Sequence, residues 1–384
     1  MKADFLKEAR AISEELAALR REIHRCPEVG NREFRTAELI EAWLAGCGIP
    51  TRRLLDTAVI GVLEGGRPGR TVALRADMDA LPLTEATGVD FASQNPGVMH
   101  ACGHDVHVSA ALGAARLLAS HREALPGRVL FVFQPDEEMD GGAQRLIAAG
   151  ALKGVDAMFG AHVAPELPLG SVGVRYGKFY AASAIFRVTV TGVSVHGAQR
   201  EKGIDALGAA AEMVCAALKL PENWPGERSV VTVGAFEAGT TVNIIAGKAE
   251  FKGIIRTLGL DLRAAICDKL REVVADVAKR WGAEAECSIT LSYPGVVNDD
   301  AMTTLARDAA ARALGADKVV VIPEPTMISE DFGYYLMECP GSFYHIGVGG
   351  DYPLHSPRFL PDPEAIVVGA AAHAAVLTGF LEGE

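Results

Sequence analysis

Four short segments carry side chains able to hold a cation. In Met99-His-Ala-Cys-Gly-His-Asp-Val-His107, Cys102 and His104 flank Gly103 just before a helix. A thiolate and an imidazole two residues apart at a helix start can converge on one ion. The glycine lets the backbone bend, and the helix dipole favours the thiolate. Phe133-Gln-Pro-Asp-Glu-Glu138 offers paired carboxylates, Phe159-Gly-Ala-His162 an imidazole, and Leu354-His355-Ser-Pro357 another. Taken singly, each has a plainer reading. Cys102 suits a small buried hydrophobe, His162 a hydrogen-bonded histidine, and Asp136-Glu137-Glu138 a solvated loop. The conjunction of all four shifts the balance toward a metal site.

These segments need elements to bring them together. The runs 71–76 (TVALRA) and 128–133 (RVLFVF) and the apolar segment 155–161 predict strands, with the last two apolar along their length as strands covered on both faces are. Helices are predicted over 4–25, 33–46, 105–120 and 141–150, so strands and helices alternate as in an α/β domain with a mostly parallel sheet. In such sheets sites form beyond the carboxyl ends of the strands. Glu137, Glu138 and His162 follow predicted strands and so belong at one sheet edge, where His355 can join them. Gly65-Gly-Arg-Pro-Gly69 reads as a turn.

From residue 184 the pattern changes. Strand 184–191 alternates, helix 204–219 follows, then strands 229–237 and 247–257, helix 261–281 and strand 284–292. The order β-α-β-β-α-β is the ferredoxin-like arrangement. The chain then returns to α/β alternation. The predicted fold is therefore a mostly parallel-sheet α/β catalytic domain, residues 1–181 and 293–384, interrupted by an inserted ferredoxin-like α+β domain, residues 182–292.

Composition narrows the function classes. A length of 384 residues suits two domains. The formal charge of −12, from 37 Lys+Arg against 49 Asp+Glu, excludes a nucleic-acid binder and leaves a divalent cation unopposed. Seven scattered cysteines, without a CxxC, are not a disulfide framework and predict a reducing, cytoplasmic setting. The first 24 residues read as an amphipathic helix rather than a signal peptide, and no membrane association is predicted.

The run Ala73-Leu-Arg-Ala-Asp-Met-Asp-Ala-Leu-Pro82, together with Met99–His107, Gln134–Glu138 and the His355 segment, resembles the M20 metallopeptidase/amidohydrolase family. The likeness is strongest to its aminoacylase-like branch: hippurate hydrolases, indole-acetyl-amino-acid hydrolases and N-acetyl-amino-acid deacetylases. The resemblance implies two divalent cations (Zn²⁺, Mn²⁺, Co²⁺ or Ni²⁺), bridged by Cys102 and completed by His104, Glu138, His162 and His355. It implies Glu137 as general base on a metal-activated water, cleaving the amide of N-acyl-L-amino acids. A dipeptidase or carboxypeptidase on the same site is the alternative. The inserted domain becomes a lid through which homodimers or homotetramers form. His196, in Val195-His-Gly197, would polarise the substrate carbonyl. Asn243 and Arg256 would hold the substrate carboxylate, for which a guanidinium fork is suited. Where the wider family has His-x-Asp this chain has Arg75-Ala-Asp77, so Arg75 and Asp77 are left outside the ligand set, and His100 and His107 are supporting residues. Asp136, in place of a small residue, is expected to add negative charge near the base.

Overall fold

The computed structural model describes residues 3–383. They form two compact units. One comprises the chain up to Gly177, Val297–Glu324 and the chain from Asp331 onward; the other comprises Lys178–Val296 and Pro325–Glu330.

The first unit is organised on an eight-stranded sheet. Its order is Thr51–Leu54, Ala58–Glu64, Pro126–Gln134, Arg67–Asp77, Ala157–Ala164, Gly341–Gly347, Val172–Val174 and Val319–Val321. The four central strands run parallel, and antiparallel strands flank them. Ala157–Ala164 and Gly341–Gly347 are buried at every residue. This is why their sequences are apolar runs rather than alternations. Helices His104–Ser120 and Glu364–Glu382 pack on one another and on the central strands. Glu364–Glu382 is apolar enough to cross a bilayer by composition, but it is almost wholly buried in this core.

Three details depart from the sequence reading. The helix predicted over 4–25 is two, Phe5–Ala11 and Ser13–Arg25, because Ile12 leaves helical dihedrals (φ −112°, ψ 13°). The turn at 65–69 is shorter, since Arg67 already begins a strand. His162 lies inside its strand rather than after it, and pairs in register with His345.

The second unit is the predicted β-α-β-β-α-β series: Ala182–Thr191, Ala206–Leu218, Ser229–Ala238, Lys248–Thr257, Leu260–Trp281 and Glu284–Leu291. Its antiparallel sheet has the order Glu284–Leu291, Ala182–Thr191, Lys248–Thr257, Ser229–Ala238. Ala184, Phe186, Val188 and Val190 enter a core with both helices, while Ile185 and Arg187 face outward. The period of two assigns each residue to its face.

Candidate metal centre

Cys102 reaches the sheet edge because Gly103, at φ +85°, caps the His104–Ser120 helix in the left-handed region. A Cβ at that position would stand 2.6 Å from Val163 Cγ2, so a glycine is required by both space and dihedral. Cys102 Sγ lies 3.4 Å from His162 Nε2 and 3.3 Å from His355 Nε2. His355 Nε2 is also 3.3 Å from Glu138 Oε1, and His104 Nε2 is 3.9 Å from that oxygen. Cys102, His104 and His162 are buried, while the His355 side chain is 54% exposed.

Among the described residues, two of the triads whose donor atoms lie within 4.8 Å of one another contain Cys102: Cys102–His104–His162 and Cys102–Glu138–His355. They share the thiol. The carboxylate of Glu137 falls within the same distance of His104 and Glu138. All five predicted ligands and Glu137 are thus gathered in the first unit.

The electrostatics ask for a cation. Burial raises the Cys102 thiol well above its usual range, and the Glu138 and Glu137 carboxylates raise it further. Burial alone would lower His104, but Asp77, Asp79 and Glu138 reverse this and carry it to about 10. The His104 shift, made against burial, reports a strongly negative interior, and the carboxylates beside Cys102 agree with it. Among the described residues, the ring nitrogens of His104 and Glu138 Oε1 make no well-aligned hydrogen bond, although Asp79 and His355 stand 3.3 Å away, and buried polar atoms left so are costly unless another group satisfies them. Thiol, imidazole and carboxylate are the donor set of a transition-metal site, and the residues fit that group.

The supporting contacts fix which nitrogen faces inward. His162 Nδ1–H donates to the Val163 carbonyl (2.8 Å), leaving Nε2 with its lone pair toward Cys102. Burial and the nearby His107 keep His162 neutral, as a ligand must be. His107 has both ring nitrogens engaged by protein groups. Its Nδ1–H donates to Asp77 Oδ1 (2.5 Å) and its Nε2 accepts the Val163 N–H (2.9 Å). Arg75 donates to Asp77 Oδ2, Asp331 and Gln134 within the buried interior.

Two site features escaped the sequence reading. Asp79 lies 3.3 Å from His104 Nδ1 and accepts from the Glu138 backbone N–H (3.0 Å), linking two ligand segments. Its only trace in the sequence is a second aspartate at the end of the Arg67–Asp77 run. Asp136 does not add free negative charge beside the base. Its carboxylate is taken by Asn31 Nδ2 and Arg145 Nη2, each at 2.8 Å.

The predicted lid residues lie in the second unit. His196 is exposed, and its Nδ1 accepts from Ala198 N–H (3.1 Å). The exposed Asn243 adjoins it, through Gly197 N–H donating to the Asn243 carbonyl (2.8 Å). Arg256 is half-buried and donates to Ser329 Oγ and the Met327 carbonyl.

The profile of peptidase family M20/M25/M40 matches residues 73–379. An N-acetyl-L-cysteine deacetylase of Bacillus subtilis is 36% identical over 93% of this chain and 86% of its own. Thermostable carboxypeptidase 1 of Saccharolobus solfataricus is 34% identical over 97% of both chains. Among solved structures, a dinuclear metal-binding M20 peptidase of Bacillus subtilis superposes with a TM-score of 0.88 at 35% identity, covering 98% of this chain and 100% of that one.

Proposed function

The chain belongs to peptidase family M20/M25/M40, and from that membership we propose that it hydrolyses the amide bond of N-acyl-L-amino acids with two divalent cations held at the Cys102 cluster. The observation that carries this reading is the pair of donor triads sharing Cys102 Sγ, with the Glu137 carboxylate beside them.

One cation would sit among Cys102, His104 and His162, the other among Cys102, Glu138 and His355, with the thiolate common to both. When bound, such a pair lowers the pKa of water and polarises a carbonyl oxygen. Glu137 lies outside the two triads built on Cys102, and its carboxylate is the group we assign to take the proton of the attacking water and return it to the leaving amine. His196 spends Nδ1 on Ala198, which leaves Nε2–H as a donor for the substrate carbonyl oxygen. Asn243 and Arg256 supply an amide and a guanidinium suited to the substrate carboxylate. Free cysteines throughout fit a reducing, cytoplasmic setting, and we assign the second unit to homodimer or homotetramer formation.

Glu137→Gln tests the reading. The variant is expected to retain two cations per chain while kcat on N-acetyl amino acids falls ~10²–10⁴-fold. Normal turnover would place the base elsewhere. A second reading is favoured by the likeness to a thermostable carboxypeptidase: the same site would act on small peptides. Comparing N-acetyl, N-benzoyl and dipeptide substrates separates the two, since they differ in whether the acyl side carries a free amine.

A further inference from the structure

The loop bearing Glu137 and Glu138 opens on a residue in an unfavourable conformation. Asp136 has φ +60°, in the left-handed region that residues with a Cβ avoid. Its surroundings hold it there. Glu33 Oε1 accepts from both Asn31 N–H and Asp136 N–H, each at 3.0 Å. Asn31 is also left-handed, at φ +62°. Arg145 Nη2 donates to Asp136 Oδ2 and to Asn31 Oδ1, each at 2.8 Å, and Asn31 Nδ2 donates to the same Asp136 oxygen. The Asp136 carbonyl accepts from Gly141 N–H (3.0 Å). Gly30 leaves the room this requires, because a Cβ there would overlap the Asp136 carboxylate.

We propose that Glu33, assisted by Asn31 and Arg145, is a positioning residue for hydrolysis: it locks the left-handed turn at Asp136 and thereby aims the Glu137 carboxylate. This rests on the reading of Glu137 as the base. The ligand one position further on has an anchor of its own, since Glu138 N–H donates to Asp79 Oδ2. Loosening the clamp therefore misplaces the base more than it disturbs the cation site. Displacing a catalytic group by a fraction of an ångström to an ångström costs rate, not affinity for substrate. A glutamine keeps an oxygen acceptor where Glu33 Oε1 takes both N–H groups, so it is the conservative replacement.

The experiment compares Glu33→Ala and Glu33→Gln in the metal-loaded enzyme, with N-acetyl-L-methionine as probe and metal content measured in parallel. Glu33→Ala is expected to lose about 10- to 100-fold in kcat, with KM within about 3-fold and the metal content of the parent. Glu33→Gln, whose amide oxygen still accepts both N–H groups, is expected to stay within about 3-fold of the parent in kcat. Parental kcat in Glu33→Ala, equal losses in both variants, or a loss that tracks missing metal would each overturn the clamp. If Glu33→Ala does not fold, the partly exposed Arg145→Met decides: a drop in kcat of about 3-fold or more at constant KM supports the clamp, and no drop overturns it. A metal-loaded parent inert toward N-acetyl-L-methionine but active on dipeptides would overturn the N-acyl-amino-acid reading instead, and the same comparison of variants on the dipeptide would then decide the clamp.

Discussion

Asp77 and His107 meet at 2.5 Å, Oδ1 to Nδ1, and this contact sets the orientation of a neighbouring strand end. His107 Nε2 takes the Val163 N–H, and the Val163 carbonyl takes the His162 Nδ1–H. Asp77 is held ionised: burial opposes this, but Arg75, His104 and His107 bring its pKa well below the usual carboxylate range.

Asp77→Asn is expected to weaken metal binding ~10–100-fold, the usual effect of losing a partner behind a ligand. Asparagine cannot accept on both sides. If its oxygen faces His107, its NH₂ faces the Arg75 guanidinium. If its NH₂ faces His107, the imidazole must turn its remaining N–H against the Val163 N–H. Competition against a chelator measures the change, and unaltered affinity would show that Asp77 does not govern the site.

The shared thiol predicts a stoichiometric effect. Removing Cys102 Sγ leaves His104 with His162 on one side and Glu138 with His355 on the other. Two donors hold a divalent cation poorly, so Cys102→Ala is expected to retain less than one cation per chain where the parent retains two. With Co²⁺ the parent should show a thiolate-to-metal absorption in the near ultraviolet that the variant lacks. Two tightly held ions in Cys102→Ala would refute the bridge.

His196→Ala is expected to reduce kcat ~10²–10³-fold, the scale for loss of one donor to a developing oxyanion. Metal content should not change, because His196 lies in the other unit from the ligand cluster. Elemental analysis beside steady-state kinetics checks this. Metal loss in the variant would argue against a role confined to the substrate.

The approach of Glu137, Glu138 and His162 could be read from the sequence because apolar runs mark central strands and their carboxyl ends define one edge. The ferredoxin-like order was legible for a similar reason, since Ala184–Val190 alternates cleanly. Other features had no local signature. The break at Ile12 interrupts a helical apolar period that continues on both sides. The hold on the Asp136 carboxylate depends in part on Asn31, 105 residues away, and nothing in either segment announces the other. The linkage through Asp79 depends likewise on a backbone N–H whose partner only the folded chain supplies.

Acid sensitivity follows from a buried histidine remote in role from the cation site. His373, on the Glu364–Glu382 helix, accepts the Tyr344 O–H at Nδ1 (2.6 Å) and must be neutral to do so. Burial, with a smaller contribution from His107, lowers its pKa from 6.5 to about 3. The unfolded chain therefore binds a proton at this residue below pH 6.5 that the folded chain refuses until about pH 3. Stability from this group is complete above the unfolded value and is lost progressively as pH falls between the two. At pH 5 the loss is about 2 kcal/mol. Urea midpoints of the parent and of His373→Leu combined with Tyr344→Phe, measured from pH 7 to 5, are expected to fall more steeply with acid in the parent. The parent should lose about one proton's worth of slope more than the double variant. Parallel curves would mean that His373 already carries its proton in the fold.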